Sequence, residues 1–132
     1  MPETLEVGRE LELAREVTPE LTADRYGNPG AFVFATPMLV ALIEEAAIQC
    51  VTPTLEPGSA TVGTRLDVEH KAPTPVGLTV TARARVVEID RRRLVFEVEA
   101  RDEREVVATG THERFVLKSL EQFLEAAGQK TG

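Results

Sequence analysis

The chain is poor in the residues that would tie it to a metal, a disulfide or a membrane. It has one cysteine, Cys50, and two histidines, His70 and His112. A lone thiol forms no internal disulfide, and this set makes poor zinc ligands, so no metal site is expected. Cys50 ends an apolar helical stretch, far from the electropositive setting that a thiolate nucleophile needs, and reads as buried filler. No apolar run reaches the roughly 18 residues that a membrane span requires. The start, MPETLEVGRELEL, is charged and alternating, unlike a signal peptide, so a cytoplasmic, soluble protein is expected. The formal charge of −7 argues against generic nucleic-acid binding, which needs a basic face to neutralise phosphates. A phosphorylated small ligand would need only a few local cations, and Arg65, Lys71, Arg91, Arg92, Arg93 and Arg114 are candidates. GxGxxG, P-loop, GxSxG and HExxH patterns are all missing, which leaves dinucleotide, nucleotide, serine-hydrolase and zinc-protease readings without support.

What is present is enough for a core. With 42% hydrophobic and 28% charged residues, the 132 residues read as one folded domain, 1–132. Its centre is Phe34–Cys50, FATPMLVALIEEAAIQC. Thr36 followed by Pro37 is a helix start, since threonine caps free N–H groups and proline suits the first turn. Met38 to Ile43 are apolar without a break, as in a helix covered on nearly every side. Glu45, Gln49 and Thr52 form one polar stripe at i, i+4 and i+7. Glu44 falls off that stripe, among Val40, Ala41, Ala47 and Ile48, and is expected to be partly buried.

Strand patterns surround this helix. Thr4–Val17 suggests a first strand with Gly8 as a bulge or turn, and Thr18–Gly30 a short helical turn followed by a loop. After the TPTLEPGS break, Ala60–Lys71 alternates, with Val62, Leu66 and Val68 on one face and His70 in phase with them. Leu78–Ile89 alternates again, and the short link Asp90–Arg93 predicts an antiparallel hairpin to a strand carrying Leu94, Phe96, Val98 and Ala100 on one face. Val106–Leu117 is a long last strand interrupted by Gly110. Ser119 then caps a helix, Leu120–Ala127, ended by Gly128. This order predicts an α+β fold with an antiparallel sheet wrapped around a central helix.

Three residues stand out chemically. An inward carboxylate at Glu44 needs a partner or a task. His70 points to the apolar face; an ordinary core histidine makes two hydrogen bonds there, but beside an inward acid it can serve in proton transfer. Thr36 has an ordinary role as an N-cap, yet its hydroxyl also sits beside free N–H donors and the positive end of the helix dipole, where an oxyanion is stabilised. Gly63 interrupts a strand, as a bulge or a place of close approach. Arg114 and His112 share one face of the last strand, and either fits an exposed surface.

Through FATPMLVALIEE, LEPGSATVGTRLDVEHKAPTPVGLTVTA and ATGTHERFVL the chain resembles hotdog-fold acyl-CoA thioesterases, and most closely the fluoroacetyl-CoA thioesterase-like group. The resemblance implies thioester hydrolysis, with a catalytic set on Thr36, Glu44 and His70 and substrate-binding roles for Gly63 and Arg114. It implies no cofactor, coenzyme A being part of the substrate. It also implies a homodimer with the site at its interface, leaving open whether dimers pair into tetramers and which subunit supplies each residue. The chain departs from the specialised enzyme by having Gly27, Asn28, Pro29 and Gly30 where a phenylalanine lid stands, so fluorine discrimination is not expected; Pro37 also replaces a glycine. A non-catalytic acyl-CoA-binding module of the same fold is the alternative reading. A hydratase ranks behind it, since that group's Asp–His motif is not found.

Overall fold

The computed structural model describes residues 2–132. Five strands, β1 (Glu10–Glu16), β2 (Ala60–His70), β3 (Thr79–Asp90), β4 (Arg93–Arg101) and β5 (Val106–Leu117), form one antiparallel sheet in the order β1-β3-β4-β5-β2. Helix α1 (Thr36–Val51) lies across its inner face, and α2 (Leu120–Gly128) follows the last strand. The α+β architecture predicted from the sequence is the one observed.

The alternation works as expected in the two middle strands. Val80, Ala82, Ala84 and Val86 on β3 and Leu94, Phe96, Val98 and Ala100 on β4 are all buried against α1, which contributes Leu39, Leu42, Ile43, Ala46, Ala47, Cys50 and Val51. Small residues on β3 let the helix approach, while Phe96 and Leu94 fill the space beside it. The β3–β4 link is a tight turn with Arg91 at φ 59°. Ser119 caps α2 by accepting from Gln122 N at 3.1 Å. Cys50 is 1% exposed, and burial pushes its thiol pKa up, which suits a filler.

Four details differ from the sequence reading. The first strand begins only at Glu10, because Gly8 takes φ 100° in a turn whose N–H donates to Val86 O. The loop 18–30 holds two short 3-10 turns, Pro19–Leu21 and Ala23–Tyr26. In β2 the register against β5 slips between Gly63 and Arg65. This bulge changes the phase, so Thr61 and Gly63 share the inner face with Leu66, Val68 and His70, and Val62 goes outward opposite Phe115. Gly110 does not interrupt β5, which runs unbroken between β2 and β4. Its missing side chain lets β2 come close, since a Cβ there would overlap the Asp67 carbonyl and lie 2.7 Å from Val68 Cα.

Helix α1 is also less covered than its composition suggests. Ala41 and Ile48 are exposed, with Ile48 at 39%, and on the neighbouring edge strand Leu66 is 40% exposed. The sheet covers one side of the helix, and the side that carries Glu44 stays open along β2. Among the described residues no helix is long and apolar enough to cross a membrane.

Because the clash at Gly110 is with backbone, Gly110→Ala is expected to cost about 1–3 kcal/mol, measured as a lowered urea midpoint. An unchanged midpoint would show that β2 can move away freely.

Candidate active site

The helix start is built differently from a simple threonine cap. Ala35 occupies the N-cap position and Thr36 is the first helical residue, with Pro37 next. The Thr36 side chain makes no capping bond; its Oγ1 lies 2.8 Å from His70 Nδ1. His70 ends β2 on the inner face, opposite Ala108. Ala35 N–H donates to Leu21 O, Met38 N–H to Ala35 O, and Pro37 has no N–H. Thr36 N–H is thus the backbone donor of this turn without a protein acceptor among the described residues, at the positive end of α1.

An open cleft of about 260 Å³ lies over this pair, lined by Thr36, His70 and Phe34 together with Ala23, Asn28 and Pro73. The loop before α1 therefore walls the cleft. His70 is half-buried, and burial lowers its pKa below the usual imidazole value, with a backbone hydrogen bond at Ala72 opposing the shift.

Glu44 is placed elsewhere. Eight residues along α1 from Thr36, it lies about 12 Å further down the axis. Its Oε2 accepts from Arg114 Nη1 at 3.1 Å and stands 3.8 Å from His112 Nε2. The side chain is 35% exposed, in keeping with the expected partial burial. Within one chain, then, the acid from the helix meets a buried arginine and the other histidine, while His70 meets Thr36.

Arg114, 4% exposed, is held from several sides. Nε donates to Thr61 Oγ1 at 2.8 Å and Nη2 to Thr61 O at 3.0 Å. Burial pulls its pKa down and Glu44 opposes this; the group stays cationic. Gly63, opposite Arg114 on β2, makes room for the pair. A Cβ there would lie 2.5 Å from Glu44 Oε2 and 3.2 Å from Arg114 Nη1. Both readings of Gly63 hold, as it borders the bulge and permits close approach.

The sequence reading missed His112 and Thr61. Arg114 and His112 fit a surface there, yet both are buried on the inner face, and both were in phase with Ala108. Thr61 was hidden because the bulge changes the phase of the strand. Among the described residues no three His, Cys, Asp or Glu side chains gather to hold a metal ion.

The family model for fluoroacetyl-CoA-specific thioesterases matches residues 17–120. The chain belongs to that family. It is 44% identical over 99 residues to the fluoroacetyl-CoA thioesterase of Streptantibioticus cattleyicolor, covering 75% of this chain and 70% of that protein. A solved threonine-to-serine variant of a fluoroacetyl-CoA thioesterase in complex with acetyl-CoA superposes with TM-score 0.91 at 36% identity, over 97% of this chain and 100% of the other. A hot-dog-like protein from Thermanaerovibrio acidaminovorans superposes with TM-score 0.87 at 25% identity, over 96% and 93%. The fold is a hotdog fold, as the resemblance implied.

Gly63→Ala is expected to push the Glu44 carboxylate off Arg114 while the fold survives, because the atom in the way ends a flexible, partly exposed side chain. Thioester hydrolysis should drop about tenfold or more, with the melting temperature lowered because Arg114 loses one acceptor but the protein still folded at the assay temperature. Retention of full activity would show that this carboxylate need not sit over Gly63.

Proposed function

We propose that the chain hydrolyses a small acyl-CoA thioester to the free acid and coenzyme A at a composite site, with Thr36 and His70 from one subunit and Glu44 from a second copy. Membership of the family makes the protein a thioester hydrolase. The observation that carries the site reading is the Thr36 Oγ1–His70 Nδ1 contact, at a helix N-terminus with an unused N–H, facing an open cleft.

The second copy answers a geometric need. Glu44 does not reach His70 within the chain, and β2 is an edge strand with an unpaired row of backbone groups beside exposed Leu66 and Ile48. Antiparallel pairing of β2 with its own copy about a two-fold axis near Leu66–Asp67 sets Gly63 opposite His70. Glu44, which lies over Gly63, then reaches the cleft over the other subunit's Thr36 and His70. Gly63 and Arg114 border the acyl end of the substrate through Glu44.

The chemistry follows from these positions. The thioester carbonyl oxygen faces Thr36 N–H and the positive end of α1, where charge developing on the oxygen is stabilised. Glu44 takes a proton from a water that attacks the carbonyl carbon, while neutral His70, aligned by Thr36, accepts that water's other hydrogen in a hydrogen bond and so orients it. The tetrahedral intermediate expels the coenzyme A thiolate, which takes up the proton and leaves as the thiol. No cofactor enters this scheme. The stretch Gly27–Gly30 carries no phenylalanine, which supports hydrolysis without discrimination for fluorine. Cys50, a buried free thiol, suits a reducing, cytoplasmic setting.

Glu44→Ala and His70→Ala should each abolish hydrolysis while the dimer persists. Co-refolding the two inactive variants should restore about a quarter of wild-type activity, because half the dimers then carry one intact composite site of two. No recovery despite heterodimer formation would place the whole site within one subunit.

The pH dependence has a defined sign. A lowered His70 pKa keeps the imidazole neutral as pH falls past 6.5, so kcat should hold through that value and decline only below it. A decline centred above pH 6.5 would contradict the role of His70 as a buried, neutral hydrogen-bond acceptor.

A further inference from the structure

His112 is 1% exposed on the inner face, yet the scheme above gives it no part. Its Nδ1 lies 2.8 Å from Arg65 O and its Nε2 lies 3.2 Å from Arg114 Nη1. A carbonyl oxygen only accepts, so Nδ1 must donate. A guanidinium only donates, so Nε2 must accept. One state of the ring satisfies both contacts, the neutral imidazole with its proton on Nδ1.

The surroundings hold that state. The β2 register slips between Gly63 and Arg65, leaving the Arg65 carbonyl available to a side chain on the neighbouring strand. Phe96 from β4 stacks against the ring with centroids 6.0 Å apart. Burial and the Arg114 cation oppose protonation of His112, while the Arg65 carbonyl, Glu44 of α1 and Glu113 of β5 favour it, the first two prevailing. The two hydrogens of Arg114 Nη1 are both used, one on His112 Nε2 and one on Glu44 Oε2 at 3.1 Å. Thr61 holds Nε and Nη2. Glu44 Oε1 has no hydrogen-bond partner among the described residues.

We infer that His112 is a positioning residue for thioester hydrolysis: as a neutral acceptor it orients Arg114 Nη1, so that Glu44 is held by one oxygen and its second is left free to receive the proton. This rests on the reading of Glu44 given above. His112 touches no substrate and acts only through Arg114. Without an acceptor at Nε2, Nη1 keeps a buried, unsatisfied hydrogen and the guanidinium turns, taking Glu44 with it.

The test compares His112→Leu with His112→Gln, whose side-chain carbonyl offers an acceptor near the place of Nε2. The leucine variant should lose kcat by about tenfold or more with KM within about threefold, and glutamine should recover most of that loss. On an Arg114→Met background, His112→Leu should cost nothing further. Equal losses for leucine and glutamine, or additive losses with Arg114→Met, would overturn the inference. If the variants fail to fold, 15N NMR of the wild-type protein decides: the Nδ1–H tautomer at pH 7 supports the inference, and an Nε2–H tautomer or an imidazolium refutes it. That measurement needs no substrate, so it distinguishes a failure of the His112–Arg114 arrangement from a failure of the hydrolase reading.

Discussion

A guanidinium buried on the inner face of a sheet needs an acceptor at each of its three nitrogens, and in this protein that demand shapes the region around Glu44. Arg114 takes the hydroxyl and carbonyl of Thr61, the lone pair of His112 and one oxygen of Glu44. Each partner then carries its own requirement. Thr61 must face inward, which the bulge in β2 achieves by shifting the phase of the strand. Glu44 must fit over a residue without a side chain, which is Gly63. Breaking one partner leaves a buried charge only partly satisfied, which costs more than the lost bond itself.

The other half of the site depends on a different economy. Pro37 removes one backbone donor from the first turn, and the loop before α1 supplies an acceptor for Ala35 N–H. What is left without a protein acceptor among the described residues is the Thr36 N–H, beside a hydroxyl in contact with His70. The two halves lie on one helix two turns apart, and no bending of a single α-helix brings them together. The edge strand β2 carries an exposed leucine, Leu66, and α1 carries an exposed isoleucine, Ile48.

The parts that could be read from sequence were those governed by local pattern. The alternation of β3 and β4, the apolar run of α1, the Ser119 cap and the hairpin turns follow from side-chain periodicity and backbone preference. So does the unusual standing of Thr36, Glu44 and His70, since a polar residue among apolar neighbours shows in the one-dimensional pattern. Val62 was misplaced, and Thr61 went unnoticed, because one extra residue in a strand reverses which side chains face inward, and an isolated glycine does not reveal where the slip falls. His112 was passed over for a related reason: on an edge-side strand an inward histidine and an outward one look alike until the strand beside it is known.

The order of letters alone determined the element types, the central helix and the three chemically unusual residues, because these depend on neighbours a few positions away. Only the tertiary structure decided who meets whom. Thr36 finds His70 across 34 positions, and Glu44 finds Arg114 across 70, when the sheet brings β2 beside β5 under the helix. Contacts of that range are set by strand register and by the space left over each glycine, and neither is written in any local stretch of the chain.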